Sequence, residues 1–415
     1  MHLRDKSIAV IGGGIGGLAA ALALGRRGAR VTVFEQAPTL AEVGAGLQIG
    51  PNGVAVLDAL GLGDAGVLAS RPSAVVLRNG RTGRSFARLP LGAAAEARYG
   101  RPYWQFHRAD LLGILTAALP ATGAVLRLDT RIDSVEPEAE RVLIVPENAG
   151  PVPFDIVIAA DGVRSRVRSV HFGGSRPRFT GHVAWRGLVP ADRLDPVFIP
   201  RETTVFTGPG RHLVAYPLRG GSIVNLVAIE KRAEWAAEGW THPDDPAAPA
   251  RAFVGWCPEA EALVTALPET FLWGLFDHPV LPRWTMGRLA LLGDACHPML
   301  PFLAQGATMA LEDAWVLAAL LDESPEPETA LAAYEDRRRP RTSRVQREAA
   351  RSGRIYHLRW PAAPIAQGGM AMASRLAPGR LLARFDWLYG VDVTRQASSS
   401  TQTGTWSEGF SQPRT

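Results

Sequence analysis

The sequence predicts an α/β fold in which one nucleotide-binding domain is interrupted by an inserted α+β domain built on an antiparallel sheet. Three observations predict it. The chain opens with a strand, a glycine turn, a helix and a second strand, SIAVIGGGIGGLAAALALGRRGARVTVFEQ. Alternating segments closed by Gly or Pro fill the middle, as in HVAWRGLVP, HLVAYPLRG and SIVNLVAIE. From Leu289 a strand followed by a helix returns, so the first domain is discontinuous.

Composition sets the limits on size and class. A chain of 415 residues with 47% hydrophobic content is long enough for two cores. No apolar run reaches the roughly 18 residues that a membrane span needs, and no segment has the form of a signal peptide. The net charge of +5 comes from scattered arginines, which argues against nucleic-acid binding. Two cysteines without a disulfide framework fit a reducing compartment, so we expect a cytoplasmic protein.

The opening glycines predict a dinucleotide site. Gly12, Gly14 and Gly17 form G-x-G-x-x-G between a strand and a helix, where the helix N-terminus attracts a pyrophosphate. Glu35 ends the next strand, where a carboxylate can accept ribose hydroxyls. The alternative is a glycine-rich turn followed by a solvated Glu35. The candidate residues of this first motif are Gly12, Gly14, Ile15, Gly16, Gly17 and Glu35.

Two later motifs make a family resemblance specific. DIVIAADGVRSRVR carries Asp161, Gly162 and Arg164, and GDACHPMLPFLAQGA begins with Asp294. With the glycine motif, they resemble in order the three signatures of FAD-dependent aromatic hydroxylases of the p-hydroxybenzoate hydroxylase fold. The resemblance extends from about Ser7 to Arg354. It is greatest to the branch of salicylate hydroxylase, 3-hydroxybenzoate 6-hydroxylase and 6-hydroxynicotinate 3-monooxygenase, and implies a Rossmann-like FAD-binding domain.

The resemblance also implies roles for individual residues. Asp161, Gly162 and Arg164 would lie between the flavin and the nicotinamide nucleotide, and Asp294 would hold the ribityl hydroxyls. Taken alone, Asp161 could instead cap a turn and Asp294 a helix N-terminus. The remaining residues would contact the flavin ring, its phosphate or its ribityl chain: Gln48 in GAGLQIGPNG, Arg108 in HRADLL, Pro301, Gly306 and Ala307.

Three residues are candidates for the chemistry on the substrate. Hydroxylation of a phenol is easier once the phenol is deprotonated, and a base with a pKa near 7 suits that task. His212 resembles the histidine base of the 3-hydroxybenzoate and 6-hydroxynicotinate enzymes, and Tyr216 follows on the same strand face. Gln305 resembles the glutamine that positions the substrate hydroxyl. Alternatives are a buried core histidine, sheet packing by Tyr216, and a Gln305 that caps free helix amides.

The resemblance implies a class A monooxygenase with one noncovalent FAD, transient NADH or NADPH, and O2 activation through a flavin C4a-hydroperoxide. The expected substrate is a small phenolic acid, salicylate- or 3-hydroxybenzoate-like. The alternatives are an N-heteroaromatic acid, a flavin dehydrogenase or a noncatalytic flavoprotein. Thr203, Leu47 and Gln48 depart from the residues expected for 6-hydroxynicotinate. We expect no nucleic-acid or membrane partner, and a monomer or homodimer.

The expected boundaries follow from these motifs. The FAD-binding domain comprises 1–75, 105–172 and 285–350, and the substrate domain 76–104 and 173–284. Helices follow over 351–394, with a break expected near Pro340, and a Ser/Thr/Gln-rich tail over 395–415 is expected to be disordered. Cys296 and His297 are adjacent, and side chains adjacent on an extended segment point apart. We therefore expect no metal site.

Overall fold

The structure is a computed structural model that describes residues 3–40, 45–173, 177–233, 242–359 and 361–396. The expected tail 395–415 thus lies outside the described residues except for its first two positions, which end the last helix. The strands, in chain order, are β1 (Ser7–Ile11), β2 (Arg30–Phe34), β3 (Gly46–Ile49), β4 (Ala74–Asn79), β5 (Ser85–Pro90), β6 (Trp104–His107), β7 (Val125–Arg127), β8 (Ile132–Pro137), β9 (Val142–Pro146), β10 (Val152–Phe154), β11 (Ile156–Ala159), β12 (Arg178–Pro190), β13 (Thr203–Gly208), β14 (Arg211–Leu218), β15 (Ile223–Lys231), β16 (His242–Asp244), β17 (Thr270–Asp277), β18 (Thr285–Met286) and β19 (Leu289–Leu291).

Helices connect and cover these strands. In chain order they are α1 (Ile15–Gly25), α2 (Pro51–Ala59), α3 (Ala93–Tyr99), α4 (Arg108–Ala118), α5 (Ala247–Ala252), α6 (Pro258–Thr265), α7 (Gly306–Glu323), α8 (Pro327–Tyr356), α9 (Ala362–Leu376), α10 (Pro378–Ala383), α11 (Asp386–Tyr389) and α12 (Val393–Gln396). Within the described ranges, no helix has both the length and the apolar character needed to cross a bilayer.

A six-stranded sheet forms the centre of the first part of the molecule. Its order is β18-β19-β11-β1-β2-β7, and all neighbouring strands are parallel except β18 and β19. The strands are short apolar runs because helices cover the sheet, with Ile8 and Val10 completely buried. Parallel strands place their carboxyl ends at one edge, so the segments that follow β1, β2, β11 and β19 meet there.

An eight-stranded sheet forms the second part, in the order β16-β17-β12-β15-β14-β13-β4-β5. The predicted antiparallel pairing of β12, β14 and β15 is confirmed. The sheet is nevertheless mixed, since β4 comes from an earlier segment and pairs in parallel with β13. One face packs against α5 and α6 through a cluster that includes Leu213 and Leu263. The other face packs through Ala184 and Trp273 against Ala349 of α8 and Leu300.

The expected helix break near Pro340 is wrong, because α8 continues through this proline to Tyr356. Proline removes one helical hydrogen bond and usually kinks or ends a helix. Here the helix packs against α7, and Tyr334, Arg338 and Val345 are buried around the proline. This tertiary packing outweighs the local preference.

Candidate active site

The glycine motif follows β1 and forms one wall of a cavity of about 890 Å³. Gly12 has φ +107°, and a Cβ there would lie 2.4 Å from the carbonyl oxygen of Ala160. A Cβ on Gly17 would lie 2.0 Å from the carbonyl oxygen of Gly12, so both positions require glycine. At Gly14 a Cβ would meet nothing within 4 Å, because this residue borders the cavity.

Ile15 and Gly16 begin α1 immediately after this turn. Ile15 is only 6% exposed, and a Cβ on Gly16 would meet the side chain of Leu292 at 2.7 Å. The Ile15 side chain therefore points into the core, and a side chain at position 16 would do so too. What they offer a ligand is their backbone amides in the first turn of the helix, where such groups have no intrahelical partner.

Glu35 lines the same cavity at the end of β2. Its carboxylate accepts hydrogen bonds from the backbone amides of Gly13 at 2.7 Å and Ala37 at 2.8 Å. It is therefore not a freely solvated surface acid. It holds the glycine turn in place, and its remaining lone pairs face a cavity wide enough for a nucleoside.

Asp161, Gly162 and Arg164 follow β11 on the other side of the cavity. One oxygen of Asp161 accepts from the backbone amides of Arg166 and Val167, so this residue does cap a turn. Its other oxygen, Oδ1, is buried and has no hydrogen-bond partner among the described residues. Burial raises the pKa of the Asp161 carboxyl. Gly162 has φ +78°, which the turn requires.

Asp294 lies in a short 3-10 turn after β19 and is not the N-cap of a helix. It lines a smaller cavity of about 60 Å³ together with Arg164 and Pro301. A Cβ on Gly306 would lie 3.9 Å from Asp294 Oδ1, so the beginning of α7 is adjacent, and Ala307 is the next residue of that helix. Desolvation raises the pKa of the Asp294 carboxyl.

Arg108 begins α4 and faces this acid rather than the open surface. Burial lowers the pKa of its guanidinium, and the charge of Asp294 opposes that change. Its backbone amide donates to the carbonyl of Ala45, which ties the start of α4 to the segment before β3. The Arg108 guanidinium and the Asp294 carboxylate thus face each other.

The residues present fit an FAD. The glycine turn leaves space where a pyrophosphate would lie, and the unpartnered Asp161 oxygen lies in the same cavity. Glu35 lines this cavity as well, and Asp294, which Arg108 faces, lines the adjoining smaller cavity that shares Val163 and Arg164 with it. An elongated dinucleotide with a polar chain between its two ring systems requires this distribution of donors and acceptors.

His212 and Tyr216 lie on β14 with their side chains on the face that meets α8. Both are buried, at 1% and 3% exposure. The His212 ring lies 5.5 Å from the Phe302 ring, so it borders the Pro301–Leu303 turn that leads to Gln305. Burial lowers the pKa of His212 well below its ordinary value, and neighbouring histidines act in the same direction. A free base with a pKa near 7 is therefore not what the structure provides.

Tyr216 connects this face to the strand that follows the glycine motif. A Cβ on Gly46 would lie 2.5 Å from the Tyr216 hydroxyl, so β3 approaches closely. Gln48 on β3 accepts a hydrogen bond from the hydroxyl of Tyr103 at 2.7 Å. Burial raises the pKa of Tyr216 well above its ordinary value, while Arg186 and Gln48 act in the opposite direction. Gln48 thus lies between the two tyrosines.

Gln305 is the residue before α7, is 1% exposed, and makes no capping hydrogen bond to the helix amides. Its Oε1 accepts from Asn52 Nδ2 at 3.4 Å, and the same amide group donates to Glu312 at 2.7 Å. The Nε2 of Gln305 is buried without a partner among the described residues. The hydrogen bond from Asn52 therefore holds the Gln305 amide in place, and the Nε2 of Gln305 remains able to donate to a ligand. Ala304, directly before it, has φ +52°, which sets the direction of the chain at this point.

Several residues at this site escaped the sequence analysis. Arg186 lies on the same sheet face as His212, with its guanidinium 4.2 Å from the centre of the Trp273 ring. Burial lowers its pKa to about 10, which still leaves it cationic at neutral pH. His182 and His357 contact one another, and His357 contacts His212. The only sequence signal for Arg186 was its alternation with apolar residues along a strand.

The expected separation of the Cys296 and His297 side chains is wrong. The segment turns after Gly293–Ala295 instead of being extended, so the ligand atoms of Cys296, His297 and Asp313 all lie within 4.8 Å of one another. Asp313 also accepts a hydrogen bond from the buried Arg338 guanidinium. The expectation that this protein has no metal site stays a prediction.

Comparisons with known proteins agree with this geometry. The family model described as "FAD binding domain" matches residues 5–349. The 3-amino-4-hydroxybenzoate 2-monooxygenase PtmB3 of Streptomyces platensis is 40% identical over 391 residues, covering 93% of this chain and 96% of the relative. A 3-hydroxybenzoate 6-hydroxylase of Polaromonas naphthalenivorans is 37% identical, covering 94% and 97%.

Solved structures agree as well. A salicylate hydroxylase in a substrate complex superimposes with a TM-score of 0.79 at 27% identity, covering 95% of this chain and 98% of that one. HpxO of Klebsiella pneumoniae, complexed with FAD and uric acid, gives 0.79 at 28% identity, covering 91% and 96%.

Proposed function

The chain belongs to the FAD-binding family of aromatic-ring hydroxylases, and from this premise we propose that it uses NADH or NADPH and O2 to hydroxylate a small phenolic acid. One observation carries the proposal. The loop from Asp294 to Gln305 lines, at its first residue, the smaller cavity, which shares Val163 and Arg164 with the nucleotide cavity. The same loop contacts His212 of the eight-stranded sheet through Phe302. A flat ring held along this loop faces the residues suited to bind a phenol.

The FAD is held by the residues that surround the two cavities. The amides of the glycine turn bind the pyrophosphate, Glu35 accepts from the adenosine ribose, and Asp294 accepts from the ribityl hydroxyls. FAD, when bound, supplies the redox and oxygen-transfer chemistry that the family resemblance implies. We also propose that 1–75, 105–172 and 285–350 form the FAD-binding domain, with 76–104 and 173–284 forming the substrate domain.

The substrate is held by residues of the sheet face and the loop. Gln305 Nε2 donates to the phenolic oxygen. His212, whose lowered pKa keeps it neutral, offers a ring-nitrogen lone pair to the phenolic hydroxyl, the position from which a base would take the phenolic proton. The carboxylate of the substrate pairs with Arg186. This residue is on β12, which lies two strand spacings, roughly 10 Å, from β14. Tyr216 supports the ring between them. A phenolic acid offers these three groups a hydroxyl, a flat ring and a negative charge.

The relatives narrow the choice of acid without fixing it. Their names include 3-amino-4-hydroxybenzoate, 3-hydroxybenzoate, salicylate and 6-hydroxynicotinate as substrates. The first of these was not anticipated from the sequence. We propose a carbocyclic hydroxybenzoate, since Thr203, Leu47 and Gln48 depart from the residues that the resemblance leads us to expect for 6-hydroxynicotinate. Thr203 instead accepts a hydrogen bond from Gln105 Nε2 at 2.7 Å.

The test is a panel of acids given to the FAD-loaded protein. NADH and NADPH oxidation, oxygen uptake and product mass are measured with the four named acids. We expect one hydroxybenzoate to stimulate oxidation and to gain one oxygen atom. In His212→Ala, hydroxylation should fall by roughly 10²-fold or more while flavin reduction changes little. Reduced-nucleotide oxidation without any oxygenated product would indicate a flavin dehydrogenase or oxidase, and no oxidation with any acid would indicate a noncatalytic flavoprotein.

A further inference from the structure

Asn52 connects Gln305 to a buried carboxylate. Asn52 is the second residue of α2 and is 1% exposed. Its Nδ2 donates to Glu312 Oε1 at 2.7 Å and, over a longer distance of 3.4 Å, to Gln305 Oε1. Glu312 lies further along α7 and is completely buried. The three side chains thus form a hydrogen-bonded row that ends at the glutamine proposed to bind the phenolic oxygen.

Two arginines of α8 hold Glu312 in its ionised form. Arg338 donates to Oε2 at 2.6 Å, and Arg341 donates to Oε2 and to Oε1, each at 2.7 Å. Burial acts to raise the pKa of the Glu312 carboxyl, but the charges of Arg341 and Arg338 outweigh it, so the pKa is lowered. An ionised carboxylate has no hydrogen to donate, so every group that bonds to Glu312 must be a donor.

The carboxylate therefore determines how both amides are turned. Asn52 must direct its NH2 group, and not its oxygen, toward Glu312. The second hydrogen of this NH2 group then points to Gln305, whose amide must present its oxygen in return. The Nε2 of Gln305 is left on the other side, buried and with no partner among the residues that the structure describes. Glu312 thus determines that Gln305 meets a ligand as a donor.

We propose that Asn52 and Glu312 are positioning residues, which keep the Gln305 amide turned so that it donates to the phenolic oxygen of the substrate. This inference rests on the proposed function, in which Gln305 Nε2 binds that oxygen. A donor beside the oxygen stabilises the phenolate, whereas the Gln305 oxygen in the same place would accept from the phenolic hydroxyl and stabilise the neutral phenol. The orientation of one amide therefore decides which form of the substrate the site favours.

A glutamine without these neighbours would not make this selection. Its terminal bond has two preferred orientations about 180° apart, which exchange the oxygen and the nitrogen in nearly the same volume. In the reversed orientation, the NH2 group of Gln305 would meet the NH2 group of Asn52. One Asn52 hydrogen would then have no acceptor in a buried site, which makes this orientation unfavourable.

Other titratable or charged side chains also surround the proposed phenol. They lie on the sheet, at the end of α8, and around the loop that precedes α7: His212 and Tyr216 of β14, Arg186 of β12, Tyr356, His357, Asp294 and Arg108. The variants below leave all of these groups in place. A change in the ionisation of the phenol can therefore be assigned to the pair of amides.

The decisive variant is Asn52→Asp, which keeps the shape of the side chain but reverses its hydrogen bonding toward Gln305. Beside ionised Glu312 the new carboxyl takes up a proton, and its only hydrogen goes to Glu312. Its oxygen then accepts from Gln305 Nε2, so the Gln305 oxygen turns toward the substrate. Asn52→Ala removes the contact instead and leaves Gln305 free to take either orientation. The isosteric change should therefore disturb phenolate formation more than the truncation does.

The measurement is the pH at which the bound phenol ionises. FAD-loaded protein is saturated with whichever hydroxybenzoate of the panel stimulates turnover, and the phenolate absorbance is followed by difference spectroscopy over a pH series. We expect the midpoint to rise by at least about 1 pH unit in Asn52→Asp and by much less in Asn52→Ala, with FAD affinity close to that of wild type in both. Asn79→Asp, at the end of β4, is the matched control. Its midpoint should equal that of wild type, because Asp also accepts from the amides of Arg81 and Thr82.

The double variant shows whether Asn52 acts through the glutamine. In Gln305→Leu protein, Asn52→Asp should cause no further rise of the midpoint. A rise of the same size in both backgrounds would mean that the new carboxyl acts on the phenol directly, and the proposal would be overturned. An equal rise in Asn52→Ala and Asn52→Asp would overturn it as well, because packing and not orientation would then matter.

A second measurement covers the case in which Asn52→Asp fails to fold. Two analogues of the same acid are compared by flavin spectral titration, one with an aromatic N-oxide and one with an amino group in place of the phenol. Wild type should prefer the N-oxide, whose oxygen only accepts, and Asn52→Ala should reduce that preference by at least about 5-fold, since its Gln305 can turn its oxygen to the amine. An unchanged preference in Asn52→Ala would contradict the positioning role.

Gln305→Leu alone separates this inference from the proposed function. If its midpoint equals that of wild type, Gln305 does not bind the phenolic oxygen, and the proposed role of Gln305 and its positioning by Asn52 both fail. If Gln305→Leu raises the midpoint but Asn52→Asp does not, Gln305 keeps its proposed role and the orientation by Asn52 and Glu312 is wrong. A rise in both single variants, without a further rise in the double variant, is the result that supports the proposal.

Discussion

The substitution Gly14→Val should weaken FAD binding while it changes the stability of the apoprotein little. Gly14 is the residue before α1, with φ −74° and ψ 179°, an extended conformation that valine also adopts. A Cβ there would meet nothing within 4 Å, although the residue borders the large cavity. The added side chain therefore projects into space that only the cofactor would fill.

The magnitude follows from these contacts. The apoprotein loses about 1 kcal/mol or less, since valine is a poorer N-cap residue than glycine. Overpacking of a tight site costs about 1–3 kcal/mol, so FAD affinity should fall by roughly 5- to 150-fold. At an FAD concentration 100 times its Kd, wild type gains about 2.7 kcal/mol of stability, whereas a variant with 100-fold weaker binding gains only about 0.4 kcal/mol.

The assay combines flavin fluorescence titration with thermal unfolding at several FAD concentrations. Gly113→Val is the matched control, because Gly113 also has open space around its Cβ but lies on the exposed side of α4. It should bind FAD as wild type does. If Gly14→Val also binds FAD with wild-type affinity, the glycine turn does not hold the pyrophosphate and the reasoning is refuted.

Three further predictions concern buried charges. Arg338→Met leaves Glu312 and Asp313 without the guanidinium that they share, so the free energy of unfolding should fall by about 3–5 kcal/mol in thermal melts. The control is Arg351→Met at an exposed position of the same helix, which should change this free energy by about 0.5 kcal/mol or less. Although burial acts to raise them, ion pairs lower the pKa values of Glu312 and Asp313, so their stabilisation is present above about pH 4 and is lost as the pH falls. The deficit of Arg338→Met should accordingly shrink below that pH, and a constant deficit would contradict the ion pairs. Arg186→Met should weaken binding of a phenolic acid by roughly 10- to 100-fold and that of the uncharged phenol much less, as measured by flavin spectral titration; equal losses would remove Arg186 from carboxylate recognition.

Sequence reasoning succeeded where the signal was local. The glycine motif, the acid after β2 and the motifs after β11 and β19 each combine a strand with a turn, and parallel strands bring their carboxyl ends to one edge. Gly12 and Gly17 are required by contacts with nearby backbone, which the spacing encodes. These elements could therefore be predicted from the sequence alone.

Two of the failures concern contacts between distant segments, and the third concerns a local turn. His182, His212 and His357 meet only after two sheet strands and the end of α8 are packed together, and no local pattern relates them. Pro340 suggested a helix end, but burial against α7 holds the helix together. The Cys296–His297 pair was misjudged because a turn was taken for an extended segment.

Mass spectrometry under ¹⁸O2 tests the central claim most directly. The FAD-loaded protein, supplied with NADH or NADPH and the acid that stimulates its oxidation, should give a product that carries one ¹⁸O atom on the ring. A product that carries oxygen from water, or an acid recovered unchanged while the reduced nucleotide is consumed, would contradict it.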